Sequence, residues 1–275
     1  MKLRSLLALA IAAACNFPCG IVTLEGAEEI KLGTNAIVAG KVLEFEAPLS
    51  AHAKINARRT SNPKVETAKG AVAVPEGFDP LKNWPLLIVS ATSDGSASSI
   101  GAMKRFIQPA TEAGWVIMAA DGPSGKPKDD SDAWRWAMIL GVLDHLRTEW
   151  PESKKWPIAC AGFSGGAKRS ALIAAIMMKG SYKVSGIFMG GCNQDSATSG
   201  FLVYQPGPQF RRLPIFLSSG TTDTIATPEQ HAAVKQSMDR SGFANVRLET
   251  YDGGHQLNAD HVKTALKWFQ TKGAK

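Results

Sequence analysis

Three short stretches carry side chains that could act together on a carbonyl carbon: "GFSGG" at 162–166, "GTTD" at 220–223 and "GGH" at 253–255. A serine hydroxyl is a weak nucleophile until a base takes its proton. Ser164 follows the apolar run "PIACAGF" (157–163) and precedes a helical pattern, so it stands on a sharp strand-to-helix turn. Gly162 and Gly166 suit such a turn, because a side chain at either would meet the neighbouring strand or helix. The helix that follows aims its first N–H groups at the same place, which favours developing negative charge. The bland alternative is a structural Gly-Ser bend; the strand before it and the helix after it argue for the nucleophile.

A base must come from five histidines. His145 and His231 fall inside helical patterns and read as surface or boundary residues, and His52 lies in a polar segment before the repeating part of the chain. His255 follows the last apolar run on two glycines, in a loop at a strand's C-terminal end, where sites of open parallel sheets form. His261, in the first turn of the last helix, is its rival. The base needs a carboxylate to fix its tautomer and stabilise the imidazolium. Asp223 follows the run "LPIFLSSG" (213–220) and lies on the same rim. Asp195 is the alternative, and Asp252 reads as a turn residue.

The elements that would hold these residues are legible from about residue 70. The runs "AVAVP" (71–75), "PLLIVSA" (85–91), "GWVIMAAD" (114–121), "PIACAGF", "VSGIFMGG" (184–191), "LPIFLSSG" and "VRLETYDG" (246–253) alternate with helical patterns. That alternation predicts a mostly parallel α/β sheet flanked by helices, its strands buried on both faces. Trp136, Ile139, Leu140, Leu143, Leu146 and Trp150 form one helical stripe closed by Pro151. Ala167–Met178 reads as a buried helix. Thr227-Pro228-Glu229-Gln230 is a capping box, and Asn258 caps the last helix. "KVLEFEAP" (41–48) and "AVAVP" suggest an edge hairpin, with a polar loop between.

On these residues the chain resembles the α/β-hydrolase superfamily from about Ala71 to Gln270: "GFSGG", "GTTD" and "GGH" match its nucleophile, acid and base motifs in order. The run "VPEGFDPLKNWPLLIVSA" (74–91) is similar to the lead-in of secreted dienelactone-hydrolase-like and polyhydroxybutyrate-depolymerase-like serine esterases. The resemblance implies an ester substrate, an acyl-enzyme, no cofactor and no metal. It also implies an oxyanion hole made by the backbone N–H groups of Gly165 and Thr92. Here the chain departs from the pattern: after "PLLIV" such enzymes often carry His-Gly, and this one reads Ser90-Ala91-Thr92-Ser93-Asp94-Gly95. Backbone donors survive that change. Residues 193–212 leave no room for a large lid, which implies an open site. A non-catalytic binding protein on the same scaffold, and a peptidase or amidase, are the alternatives.

Bulk properties bound the rest. A hydrophobic fraction of 44% and a charged fraction of 20% are ordinary for a globular chain. The formal charge of +7 is scattered, without a basic stripe interleaved with aromatics, which argues against nucleic acid. Lys2, Arg4, the apolar run Leu6–Cys15 and Ala12-Ala13-Ala14 read as a signal peptide over residues 1–19, cleaved in one reading after Ala14. The run is too short to span a bilayer. The mature product is then secreted or periplasmic, and Cys15 after the alanines permits a lipid anchor. Residues 20–70 form an N-terminal segment with edge strands, and 71–275 the catalytic core. Cys160 and Cys192 read as buried thiols. No His/Cys cluster has zinc spacing, and Asp129, Asp130 and Asp132 lack a calcium-loop pattern and read as a solvated loop.

Overall fold

The apolar runs lie side by side in one eight-stranded sheet. The structure, a computed structural model, describes residues 30–60, 64–93, 97–123 and 130–273; the signal peptide and Cys15 lie outside them. A short antiparallel pair, β1 (Lys31–Leu32) and β2 (Asn35–Ala36), opens the described chain. Then come β3 (Leu43–Pro48), α1 (Ala51–Arg58), β4 (Thr67–Ala73), β5 (Leu86–Ser90), α2 (Ser99–Met103), α3 (Ile107–Glu112), β6 (Val116–Asp121) and α4 (Asp132–Glu149). The second half holds β7 (Ile158–Phe163), α5 (Gly165–Lys179), β8 (Val184–Gly190), α6 (Ser196–Tyr204), β9 (Pro214–Gly220), α7 (Pro228–Arg240), β10 (Asn245–Tyr251) and α8 (Ala259–Gly273).

The strand order is β10-β9-β8-β7-β5-β6-β4-β3. The six strands from β10 to β6 run parallel, and β4 pairs antiparallel with both β6 and β3. Helices cover both faces, so the inner strands have no wet side: every residue of β5 and β9 is buried. One core lies under α1, α4, α5 and α7 and includes Trp150, Trp156 and Phe78. The other lies under α2, α3 and α8 and is built on Phe106, Phe188, Phe216 and Phe269. The edge strand β10 departs from the expectation of burial on both faces: being unpaired on one side, it is buried only in part.

Helix signals in the sequence have their physical counterparts. Thr227 and Gln230 bond reciprocally at the start of α7, and the Asn258 carboxamide oxygen accepts the His261 N–H at 2.8 Å before α8. Two segments differ from expectation. The polar stretch after β3 contains α1, capped by Ser50, whose buried face is only Ala53 and Ala57. Two alanines four apart leave little periodic signal. Residues 193–212 contain α6, which packs along α5 at Gly200, where an added Cβ would come 3.0 Å from the Ala175 Cβ. No described helix is long and apolar enough to cross a membrane.

Candidate active site

The turn between β7 and α5 holds Ser164 at φ 57°, ψ −123°, a backbone region that a residue with a side chain seldom occupies and that costs about 1–3 kcal/mol. The strain is held by neighbours: the Ser164 N–H donates to Gly190 O at 2.7 Å, and its carbonyl accepts the Ala167 N–H at 3.0 Å as α5 begins. The flanking glycines are needed for space. A Cβ on Gly162 would lie 2.1 Å from the Gly166 carbonyl, and one on Gly166 would lie 2.3 Å from Ser90 O on β5.

His255 and Asp223 hang from adjoining loops at the ends of β10 and β9. The loops are zipped together, because Thr221 N donates to Tyr251 O (2.9 Å) and Thr222 N to Gly253 O (3.0 Å). His255 Nδ1 lies 2.8 Å from Asp223 Oδ2, and Nε2 lies 3.0 Å from Ser164 Oγ. The other carboxylate oxygen of Asp223 accepts the N–H groups of Ile225 and Ala226, both at 2.8 Å. Burial works to raise the Asp223 pKa, but the Ala226 N–H, the His255 imidazole and the Ile225 N–H together hold it below the ordinary aspartate value. The group is therefore a carboxylate, which only accepts. The imidazole proton then sits on Nδ1, and Nε2 is free to accept from Ser164. The Phe163 ring packs 4.7 Å from the imidazole and limits its tilt.

Thr92 lies directly across from the elbow. A Cβ on Gly165 would come 2.0 Å from Thr92 Oγ1 and 2.7 Å from its Cβ. The backbone N–H groups of Gly165 and Thr92 have no hydrogen-bond partner among the described residues. One of these donors is on the first residue of α5, next to Ser164, and the other is on the residue packed against it. Asp94 and Gly95, in the loop that lacks His-Gly, lie outside the described residues.

The other candidates are occupied elsewhere. His261 Nδ1 bonds Ser218 Oγ at 2.9 Å, and burial lowers its pKa. Asp195 caps α6 and accepts from Ser237 at 2.7 Å. Asp252 lies 3.5 Å from Thr221 Oγ1, and His52 is exposed on α1. His145 rests against Phe45 on α4. His231 corrects the expectation of a surface or boundary residue, since it is fully buried. Its Nε2 accepts the Cys192 N–H at 2.9 Å, and burial holds it neutral. The spacing of His231 with Val234 and Met238 was the available signal, because the three share the inward stripe of α7.

A second correction concerns the acidic loop. Asp129 lies outside the described residues; Asp130 and Asp132 are not free in solvent, because Asp130 pairs with Arg135 and Arg169, and Asp132 with Arg169 and Tyr204. Among the described residues no group of three His, Cys, Asp or Glu could hold a metal. Cys160 and Cys192 are free and buried, and burial pushes their thiols up to about 12 and about 11. They are inert thiols at neutral pH.

Searches of the sequence match no protein family and no curated protein. Solved structures do match. Esterase 2 of Thermogutta terrifontis, phosphorylated by paraoxon, superposes with a TM-score of 0.53 at 14% identity, covering 76% of this chain and 88% of that one. The fold is that of the α/β hydrolases. Fungal esterases from Rhizomucor miehei give a TM-score of 0.57 at 14% identity, covering 86% of each chain. A serine hydrolase homologue from Coxiella burnetii gives 0.51 at 14%, covering 87% and 99%. In an α/β-hydrolase fold the C-terminal rim of the sheet is where ligands are met. Ser164, Asp223 and His255 all stand on that rim.

Proposed function

We propose that the protein is an exported serine esterase. Ser164 Oγ attacks the ester carbonyl while His255 Nε2 takes its proton, and the carbonyl electron pair moves onto oxygen. The N–H groups of Gly165 and Thr92 hold that oxyanion. Collapse expels the alkoxide, which leaves as the alcohol with the proton from His255. Water, deprotonated by the same imidazole, then hydrolyses the acyl-enzyme and restores the serine. Asp223 keeps the imidazole in the required tautomer throughout.

The observation that carries this reading is the unbroken row Asp223–His255–Ser164, with hydrogen bonds of 2.8 and 3.0 Å, on a strained serine turn. Ester chemistry is supported by the esterases among the structural relatives. Export is supported by the basic, apolar and small-residue order of the first residues. The test is hydrolysis of short-chain nitrophenyl esters by the wild type and by Ser164→Ala. Turnover that falls by about 10⁴-fold or more in the variant is expected. Turnover absent from the wild type would leave a binding protein on a hydrolase scaffold, and turnover equal in both would remove Ser164 from the chemistry. Matched amide substrates separate a peptidase from an esterase.

A further inference from the structure

Thr92 lies two residues beyond the end of β5, and a half-buried carboxylate fastens the start of α2. Asp121, the last residue of β6, accepts Ser98 Oγ–H at 2.6 Å, the Ser99 N–H at 2.9 Å and the Ile100 N–H at 3.0 Å. Arg135 of α4 adds a donor from Nη1 at 2.6 Å. This arginine is only 5% exposed, and its Nη2 donates to Ala97 O at 3.1 Å. Ser99 Oγ, held 3.4 Å from Arg135 Nη1, in turn accepts the Ala91 N–H at 3.2 Å. The Ser90–Ala91 peptide, one unit before the Thr92 N–H, is therefore tied through Ser99 to an ion pair.

The same pair reaches the other side of the proposed oxyanion hole. Arg135 Nε bonds Asp130, which also meets Arg169 Nη1 at 3.3 Å, and Arg169 Nη2 donates to Asp130 O at 2.9 Å. Arg169 is 5% exposed and sits on α5, the helix that starts at Gly165. One row of alternating charge, its two arginines buried and its two carboxylates half-buried, thus runs from the start of α2 to α5. Buried ion pairs add little net stability, because desolvation offsets their attraction, but they fix geometry. Ser98 Oγ accepts the Gly101 N–H at 2.9 Å, whereas the first two N–H groups of α2, those of Ser99 and Ile100, are held by Asp121, so the carboxylate caps this helix as well as fastening Ser99.

We propose that Asp121 and Arg135 are positioning residues for the oxyanion hole, setting the aim of the Thr92 N–H relative to that of Gly165. The proposal rests on the esterase reading. Its test compares wild type, Asp121→Asn and Ser99→Ala, the last of which keeps both charges and removes the hydroxyl that links Ala91 to Arg135. Three quantities are measured: kcat and KM on a nitrophenyl ester, inhibition by a trifluoromethyl ketone that Ser164 converts to a tetrahedral oxyanion, and Tm. The expected result for Asp121→Asn is a kcat lowered about 10- to 100-fold, KM within about 3-fold, and ketone inhibition weakened by the same factor as kcat. Ser99→Ala should shift kcat and ketone inhibition together, by a smaller factor, and it carries the test if Asp121→Asn does not fold. Variants that keep kcat within two-fold, or lose kcat with ketone affinity intact, would overturn the proposal while the wild type remains an esterase. A wild type without Ser164-dependent turnover would remove both.

Discussion

On one side of Ser164, His255 and Asp223 hang from loops joined to each other by backbone hydrogen bonds. On the other side, the residues that follow Thr92 into α2 are held by charged side chains of β6 and α4, Asp121 and Arg135. The first wall uses what strand ends supply automatically: adjacent C-termini of parallel strands, short turns and free peptide groups. The second must span from one strand to its neighbour's helix, with no ladder to continue, and it uses buried ions for direction. A wall made of backbone tolerates side-chain change, whereas a wall made of paired charges fails when one partner is removed.

The largest effect should come from breaking the first wall's one charged member. Asp223→Asn presents an amide to Nδ1, favours the wrong imidazole tautomer and should lower kcat by about 10⁴-fold, with the fold retained; steady-state kinetics with circular dichroism checks both. The junction of the two walls is next. Gly165→Ala places a methyl group 2.0 Å from Thr92 Oγ1, pushing the loop away from the elbow. A loss of about 10²–10³-fold in kcat is expected, comparable to removing one oxyanion donor. A Gly165→Ala enzyme with normal kcat would show that Thr92 does not face the reaction.

The smallest effect concerns the buried His231 of α7. His231 is buried neutral and its pKa is lowered by burial, so the unfolded chain binds a proton that the native chain does not. Stability is then greatest above the ordinary histidine value of about 6.5 and falls as pH drops below it. His261 contributes with the same sign. Asp223 is shifted in the same direction, but its contribution is lost only as pH falls below the ordinary aspartate range. His231→Gln should therefore narrow the drop in Tm between pH 7.5 and 5 by about 2 °C, read by thermal melts.

This contrast also explains what could be read in the sequence. Unbroken apolar runs revealed the parallel strands, and the glycines about Ser164 revealed a turn because a Cβ at Gly162 would fall 2.1 Å from the Gly166 carbonyl, which leaves room for glycine alone. Asp223 and His255 were legible because each follows a strand. The row of charges was not. Asp121, Asp130, Arg135 and Arg169 carry no spacing signal, and an acidic loop looks the same in sequence whether water or arginine faces it. Helix α1 was hidden for a related reason, since two buried alanines make a faint stripe.

The central claim is that His255 and the elbow make Ser164 a nucleophile. Its most direct test is treatment with a fluorophosphonate followed by peptide mapping by mass spectrometry, comparing wild type with His255→Ala. The expected result is a single adduct on Ser164, formed rapidly in the wild type and slowed by about 10³-fold or more without His255. No adduct on Ser164, or labelling at the same rate in both proteins, would contradict the account.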